Sequence, residues 1–195
     1  MTPNQLQSHA QAIAGRILDL EEQKHTPIIA IDGRAASGKT TLAKLLGEAY
    51  FASNQSTLRI VHMDDLYPGW EGLRAGSTYL YSQILLPLSS GKPANWQIWN
   101  WETGVRGNPL EPGNGWRQFT PGVPLVIEGC GSISRLTRDL IDLGIWLEAP
   151  LDTRKSRWTE REGALTAQFW GVWQSQEDEF YQAERSVSMA DIILS

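Results

Sequence analysis

An almost wholly apolar run, Pro27-Ile28-Ile29-Ala30-Ile31-Asp32, leads directly into Gly33-Arg34-Ala35-Ala36-Ser37-Gly38-Lys39-Thr40. A helix-forming stretch with Leu42, Leu45 and Leu46 on its apolar side follows. The apolar run suits a parallel strand buried on both faces. The loop has the spacing G-x-x-x-x-G-K-[ST] in the one context where that spacing carries meaning, between a strand and a helix. Gly33 and Gly38 let the main chain curl around an anion without a Cβ in the way. The amides from Gly33 through Ala35, Ala36, Ser37 and Gly38 to Lys39, Thr40 and Thr41 are expected to point inward, at the positive end of the following helix. Lys39 then reaches the β- and γ-phosphates of ATP, and the Thr40 hydroxyl ligates magnesium. Motors, switches, ATPases and kinases all use such a P-loop, so the motif leaves the fate of the phosphate open.

The alternation of strand and helix continues along the chain. Leu58-Arg59-Ile60-Val61-His62-Met63 reads as a second strand ending in Asp64-Asp65, and Ser77 to Leu88 as a helix stopped by Gly91 and Pro93. Pro124 to Gly129 is a third strand, Leu143 to Glu148 a fourth closed by Ala149-Pro150, and Asp191 to Leu194 a short last one. Two helices, 152–161 and 166–184, precede it. Within 1–24, Leu6, Ala10, Ile13, Ile17 and Leu20 recur at helical spacing and predict an amphipathic N-terminal helix. Only 94–122 changes character: it is rich in Trp, Gly, Pro and Asn with weak periodicity, and long irregular segments in compact domains usually serve function. We read 1–195 as one domain, a three-layer α/β fold with a mainly parallel five-stranded sheet. Ligands of such sheets bind beyond the carboxyl ends of the strands. The segments after Asp32, Met63, Ile127 and Glu148 are therefore expected to converge.

Bulk properties narrow the partners. The 195 residues are 41% hydrophobic and 20% charged, with a net charge of −5 and acids and bases interspersed, which offers no basic stripe for nucleic acid. No apolar run is long enough to span a bilayer. The single cysteine, Cys130, excludes an internal disulfide and fits a reducing compartment, so a cytoplasmic location is expected. Next to a buried strand it reads as packing rather than as a nucleophile. His9, His25 and His62 have no metal-ligand spacing. Assembly into a homo-oligomer is left open.

Beyond the P-loop, several blocks resemble, in order, the group of uridine kinase, nicotinamide riboside kinase and bacterial pantothenate kinase. They are Asp64-Asp65-Leu66-Tyr67-Pro68 after the second strand, Gly91-Lys92-Pro93 before Trp99-Asn100-Trp101, Val126-Ile127-Glu128-Gly129, the run Asp152 to Glu162, and Ala190-Asp191-Ile192-Ile193. The resemblance runs from about Pro27 to the end. It implies that 151–163 is an arginine-bearing helical lid and that 94–122 covers the acceptor. It further implies that Glu128 helps hold magnesium, directly or through water, and touches substrate. Tyr67, Trp99, Trp101 and Arg106 fall where the related kinases contact substrate; Asn100 replaces their usual acid, which weighs against uridine or cytidine as the acceptor.

The chemistry of the residues agrees with a kinase. Transfer to an alcohol needs a carboxylate at the acceptor hydroxyl. Asp64 is the better candidate, with a further role at magnesium, while Asp65 is expected to project elsewhere. Arg154, Arg157 and Arg161, spaced by three and four, share one helix face. Arg157 and Arg161 are the candidates for stabilising the moving phosphoryl group and Arg157 for gripping the nucleotide, with Arg154 in support. The alternative is a solvated basic face paired with Glu160 and Glu162. The expectation is an ATP- and magnesium-dependent kinase acting on a hydroxyl of a nucleoside or similar polar metabolite. Its rivals are a nucleoside monophosphate kinase of cytidylate-like kind, using Arg74 and Arg106 for the acceptor phosphate, and a non-catalytic nucleotide-binding module.

Overall fold

The computed structural model describes residues 1–24 and 26–195, the side chains of 162–167 excepted. His25 and the side chain of Glu162 thus lie outside the described residues. The chain runs α1 (Pro3–Glu21), β1 (Ile28–Asp32), α2 (Lys39–Asn54), β2 (Arg59–His62), α3 (Leu73–Tyr79), α4 (Leu86–Ser89), β3 (Ala94–Gln97) and β4 (Trp99–Asn100). It continues through β5 (Val105–Arg106), β6 (Trp116–Phe119), β7 (Leu125–Glu128), β8 (Leu143–Leu147), α5 (Leu151–Thr166), α6 (Trp170–Glu184), α7 (Ser186–Met189) and β9 (Ile192–Leu194). No described helix is long and apolar enough to cross a membrane.

Five strands form one parallel sheet in the order β2-β7-β1-β8-β9. Strand pleating divides its side chains between two layers. Ile29, Ile31, Val126, Leu143, Ile145 and Leu147 meet Ala10, Ile13, Ala14 and Ile17 of α1 and Leu42 and Leu46 of α2. Ile28, Ala30, Ile127 and Trp146 face the other way, toward Leu73, Leu80 and Phe180. The chain leaves β1 for β2 on one side and later crosses to β8 on the other, so β1 stands where the connections diverge. This is the place at which parallel sheets open a crevice at their carboxyl ends.

Three local features differ from the sequence expectation. First, β2 stops at His62, and Met63–Asp65 form a single 3₁₀ turn. The near-120° step of that turn, rather than strand alternation, separates Asp64 from Asp65. Second, the helix begins at Leu73 and passes through a π-helical stretch, Leu80–Leu85, before α4. Pro87 accounts for this: it has no N–H and its ring crowds the carbonyl four residues back, so the helix widens before it. Third, 94–122 is more regular than expected, because β3 pairs with β6 and β4 with β5 in two antiparallel tiers of one arm. Its strands are two to four residues long. Such short strands carry too few alternations to stand out from the sequence.

Asp32, the last residue of β1, is fully buried and accepts four hydrogen bonds. Its Oδ1 receives the Gly33 amide (2.7 Å), the Gly131 amide (3.0 Å) and the Tyr181 hydroxyl (2.7 Å), and Oδ2 receives the Ile133 amide (2.8 Å). One carboxylate thereby ties the P-loop, the segment after β7 and α6 together. Burial outweighs the bonds from Ile133, Tyr181 and Gly33 and pushes the Asp32 carboxyl from 3.8 up to about 6. The folded state therefore holds this proton more tightly than the unfolded chain. The resulting stability is full below the unfolded pKa and is lost as pH rises through about 6. In Asp32→Asn that titration is gone. The stability advantage of the wild type over the variant, from urea unfolding, is expected to shrink by about 2–3 kcal/mol between roughly pH 4 and 7. A difference that does not change with pH would show that Asp32 is ionised throughout.

Candidate active site

The P-loop lies at the end of the central strand, and its backbone departs from ordinary geometry where an anion cradle requires it. Ala36 and Gly38 take positive φ values of 60° and 110°. Such changes of backbone hand turn successive amides toward one side. Gly38 caps α2 without any side-chain hydrogen bond, so the first-turn amides of α2 are available to an anion. Ser37 is buried in the same loop, and its Oγ has no partner among the described residues. Gly33 has a reason the motif does not convey: a Cβ there would lie 2.3 Å from the Leu147 carbonyl oxygen. Close packing of the loop on β8 excludes any side chain at Gly33, whereas Gly38 is selected by its φ.

Around this loop a cavity of about 700 Å³ opens. Its lining brings together Ala35, Ala36, Gly38, Lys39, Thr40 and Thr41 with Asp64, Tyr67, Trp101, Glu128, Arg157 and Arg161. Lys39 Nζ donates to the carbonyls of Gly33 (2.8 Å) and Arg34 (3.0 Å). Burial disfavours its charge, but the surrounding anionic groups, Glu128, Glu177 and Asp32 among them, outweigh burial and raise its pKa. Thr40 Oγ1 donates to Glu128 Oε1 at 3.0 Å, and His62 Nδ1 donates to the same oxygen at 2.6 Å. One oxygen of Glu128 thus takes two donors, the Thr40 hydroxyl and the His62 ring. Asp64 opens on the cavity, and its carboxyl is raised by burial and by Glu128, against the pull of Lys39 and Arg161. Asp65 does not line the cavity, and burial raises its carboxyl against the pull of His62 and Arg117.

The arginines of α5 divide their tasks. Arg154 is buried, donates to the carbonyls of Ala149 (3.2 Å) and Ala35 (3.4 Å), and lies 3.8 Å from Glu177. It fastens α5 to the loop. Arg157 Nη1 lies over the loop, 3.2 Å from the Ser37 carbonyl oxygen, and Arg161 reaches the Asp64 side of the cavity. Trp99, Asn100 and Arg106 do not line the cavity. Asn100 Oδ1 accepts the amides of Glu102 (3.0 Å) and Thr103 (3.1 Å) and closes the β4–β5 turn. The Arg106 guanidinium donates to the carbonyls of Leu66 (2.9 Å) and Gln97 (3.1 Å) and lies 3.5 Å from the Tyr79 ring centre.

Two carboxylates escaped the sequence reading. Glu177 of α6 is buried and accepts from the Ala35 amide while facing Arg34 and Arg154. Nothing in its helical neighbourhood marks it, because its partners arrive from distant segments. Asp32 could have been found: a carboxylate ending an apolar buried strand demands donors. The aromatic lining residues Trp70, Trp158 and Trp173 were also unassigned, since tryptophan at those positions reads equally as core. Among the described residues no group of three or more His, Cys, Asp or Glu side chains could hold a metal by itself. A magnesium ion here would take most of its ligands from phosphate and water. The oxygen donors Thr40 and Glu128, 3.0 Å apart, suit such a hard ion.

No protein-family model matches the sequence, and a search of curated proteins finds no match. Solved structures do match. A protein described as a possible uridine kinase from Bacillus stearothermophilus aligns with a TM-score of 0.69 at 19% identity, covering 98% of this chain and 100% of that one. A candidate fructose transport system kinase from Silicibacter aligns at 0.59 and 16% identity, covering 95% and 98%. A D-glycerate 3-kinase from Cryptococcus neoformans aligns at 0.57 and 12%, covering 91% and 88%. At such identities the likeness concerns architecture. The chain has a P-loop kinase-type fold.

Proposed function

We propose that the protein is a small-molecule kinase that transfers the γ-phosphoryl group of ATP to a hydroxyl. The observation that carries this reading is that Lys39, Thr40, Asp64, Glu128, Arg157 and Arg161 line one cavity. Lys39 and the loop amides bind the phosphates, and Arg157 adds to that grip from above the loop. Asp64 takes the acceptor proton as the alcohol oxygen bonds to the γ-phosphorus and the bond to the β–γ bridging oxygen breaks, releasing ADP. Its raised pKa brings the carboxylate nearer to neutrality and makes it a better base. Arg157 and Arg161 stabilise charge on the equatorial oxygens. Thr40 and Glu128, with Asp64, are the residues that would hold magnesium, which supplies charge neutralisation at the phosphates when bound.

An acceptor without a phosphate of its own fits better than a nucleoside monophosphate. The two arginines available for an acceptor phosphate are engaged elsewhere: Arg74 pairs with Glu184 at 2.9 Å, and Arg106 holds backbone carbonyls. Neither lines the cavity.

Magnesium ATP is expected to raise the melting temperature, since a ligand bound by the folded state alone stabilises it. Lys39→Ala is expected to remove most of that increment. The variant is also expected to melt lower without ligand, because Glu128, Glu177 and Asp32 lose their countercharge, so the ligand-induced shift is the quantity to compare. Equal shifts in both proteins would sink the nucleotide assignment.

For the chemistry, Asp64→Asn keeps shape and loses proton acceptance. With an acceptor found by an ADP-release screen, turnover is expected to fall roughly 10²–10⁴-fold while ATP binding persists. Arg157→Ala is expected to lower kcat about a hundredfold, with a smaller effect on ATP affinity. Full transfer activity in Asp64→Asn would show that Asp64 is not the base, whereas absence of transfer by the wild type to every acceptor screened would leave a nucleotide-binding module as the better description.

A further inference from the structure

The cavity changes character away from the P-loop. Trp70 stands at the centre of an aromatic group: Phe169 stacks on it at 4.7 Å, Trp101 lies 4.9 Å away, and Trp158 and Trp173 meet it edge-on at 5.8 and 6.3 Å. Trp101 Nε1 donates to the Asp64 carbonyl oxygen at 2.9 Å. The aromatic wall therefore begins immediately beside the carboxylate that would receive the acceptor hydroxyl.

Three polar side chains on this side that could read a sugar or a nucleobase edge are already engaged. The Tyr67 hydroxyl donates to the Cys130 carbonyl at 2.7 Å, Asn100 closes its turn, and Arg106 holds Leu66 and Gln97. One exception stands out. Trp158 lines the cavity, and its Nε1 is buried without a hydrogen-bond partner among the described residues. A buried N–H without an acceptor is unfavourable, and a ligand atom that accepts from it removes the penalty. A positively charged acceptor is disfavoured at the same ring, because the Arg161 guanidinium already lies 5.8 Å from the Trp158 ring centre.

We propose that the acceptor is a neutral aryl alcohol: a flat ring with its hydroxyl on a short arm and one acceptor atom, a ring nitrogen or carbonyl oxygen, for Trp158. This rests on the kinase reading above. The ring binds by apolar contact and stacking against the tryptophans, which need no partner groups on the ligand. A nucleoside would instead bury ribose hydroxyls and base edges against surfaces that offer them few hydrogen bonds. The reaction joins the alcohol oxygen to the γ-phosphorus, breaks the bridging P–O bond, passes the proton to Asp64, and yields an arylmethyl phosphate monoester and ADP.

The experiment uses the full chain with magnesium and a non-hydrolysable ATP analogue. Calorimetric titrations are run with benzyl alcohol, a hydroxymethylpyridine, uridine and choline, and ATP is then substituted to follow ADP release. The hydroxymethylpyridine is expected to bind at least roughly tenfold more tightly than uridine or choline. Trp158→Phe keeps an aromatic ring and removes the N–H. It is expected to weaken the hydroxymethylpyridine roughly fivefold more than it weakens benzyl alcohol, the worth of one hydrogen bond. Tighter binding of uridine or choline overturns the inference and leaves the kinase reading intact. Equal weakening of both aryl alcohols overturns the role given to Trp158. An aryl alcohol that binds without being phosphorylated supports the aromatic chamber and counts against the kinase reading. Absence of binding by either aryl alcohol overturns the inference.

Discussion

The Asp32 carboxylate closes the central strand with four donors, one from the adjoining P-loop and three from two distant segments, and the P-loop end of the molecule is organised around it. Its Oδ1 holds the first amide of the P-loop, so the loop starts from a rigid point. Its bonds to Gly131 and Ile133 set the course of the chain after β7, and hence the neighbourhood of Glu128 and Cys130. Tyr181 brings in α6, whose Glu177 accepts from Ala35 and faces Arg154 of α5. A buried charge with this many donors is tolerated because each one recovers part of the lost hydration. In return the loop, the sheet, α5 and α6 are registered to one another.

Charge balance is the second constraint. Lys39, buried beneath the loop, is surrounded by Glu128, Glu177 and Asp32. Two arginines of α5 extend the positive charge across the cavity toward Asp64. Such an arrangement holds anionic and cationic groups around one cavity, with Lys39 and Glu128 buried at its base. Interactions among them are accordingly stronger than on an exposed surface. Electrostatic pre-organisation of this kind is what phosphoryl transfer asks of a protein, since little covalent chemistry is left for the side chains to perform.

The aromatic arm and helices supply the remaining wall. Their contribution depends on tryptophans from the loop before α3, the β4–β5 turn, α5 and α6 meeting around Trp70. Broad apolar faces gathered in this way bind through area and shape, and each indole brings a single donor. Where that donor is spent, as in Trp101, the ring is fixed; where it is not, as in Trp158, the ring retains a demand that a ligand could meet.

The sequence by itself determined the strand–loop–helix unit at Pro27–Phe51, the parallel α/β class, and the candidacy of Lys39, Thr40, Asp64, Arg157 and Arg161, while Glu128 was named by resemblance. The others follow from local chemistry: glycines at a tight loop, an apolar run too long to be exposed, a carboxylate at a strand end, arginines on one helix face. Tertiary structure alone decided the rest. It turned Asn100 and Arg106 into braces of the hairpin arm, made Arg154 a fastening, and revealed Glu177 as a loop acceptor. It also showed that Gly33 answers to a carbonyl of β8. The physical reason is common to all five: a polar or glycine residue takes its role from whichever donor, acceptor or backbone comes within reach. For Arg106, Arg154, Glu177 and Gly33 a partner lies on another segment of the chain, where periodicity and spacing do not extend; for Asn100 it lies in the turn that the chain makes just beyond it.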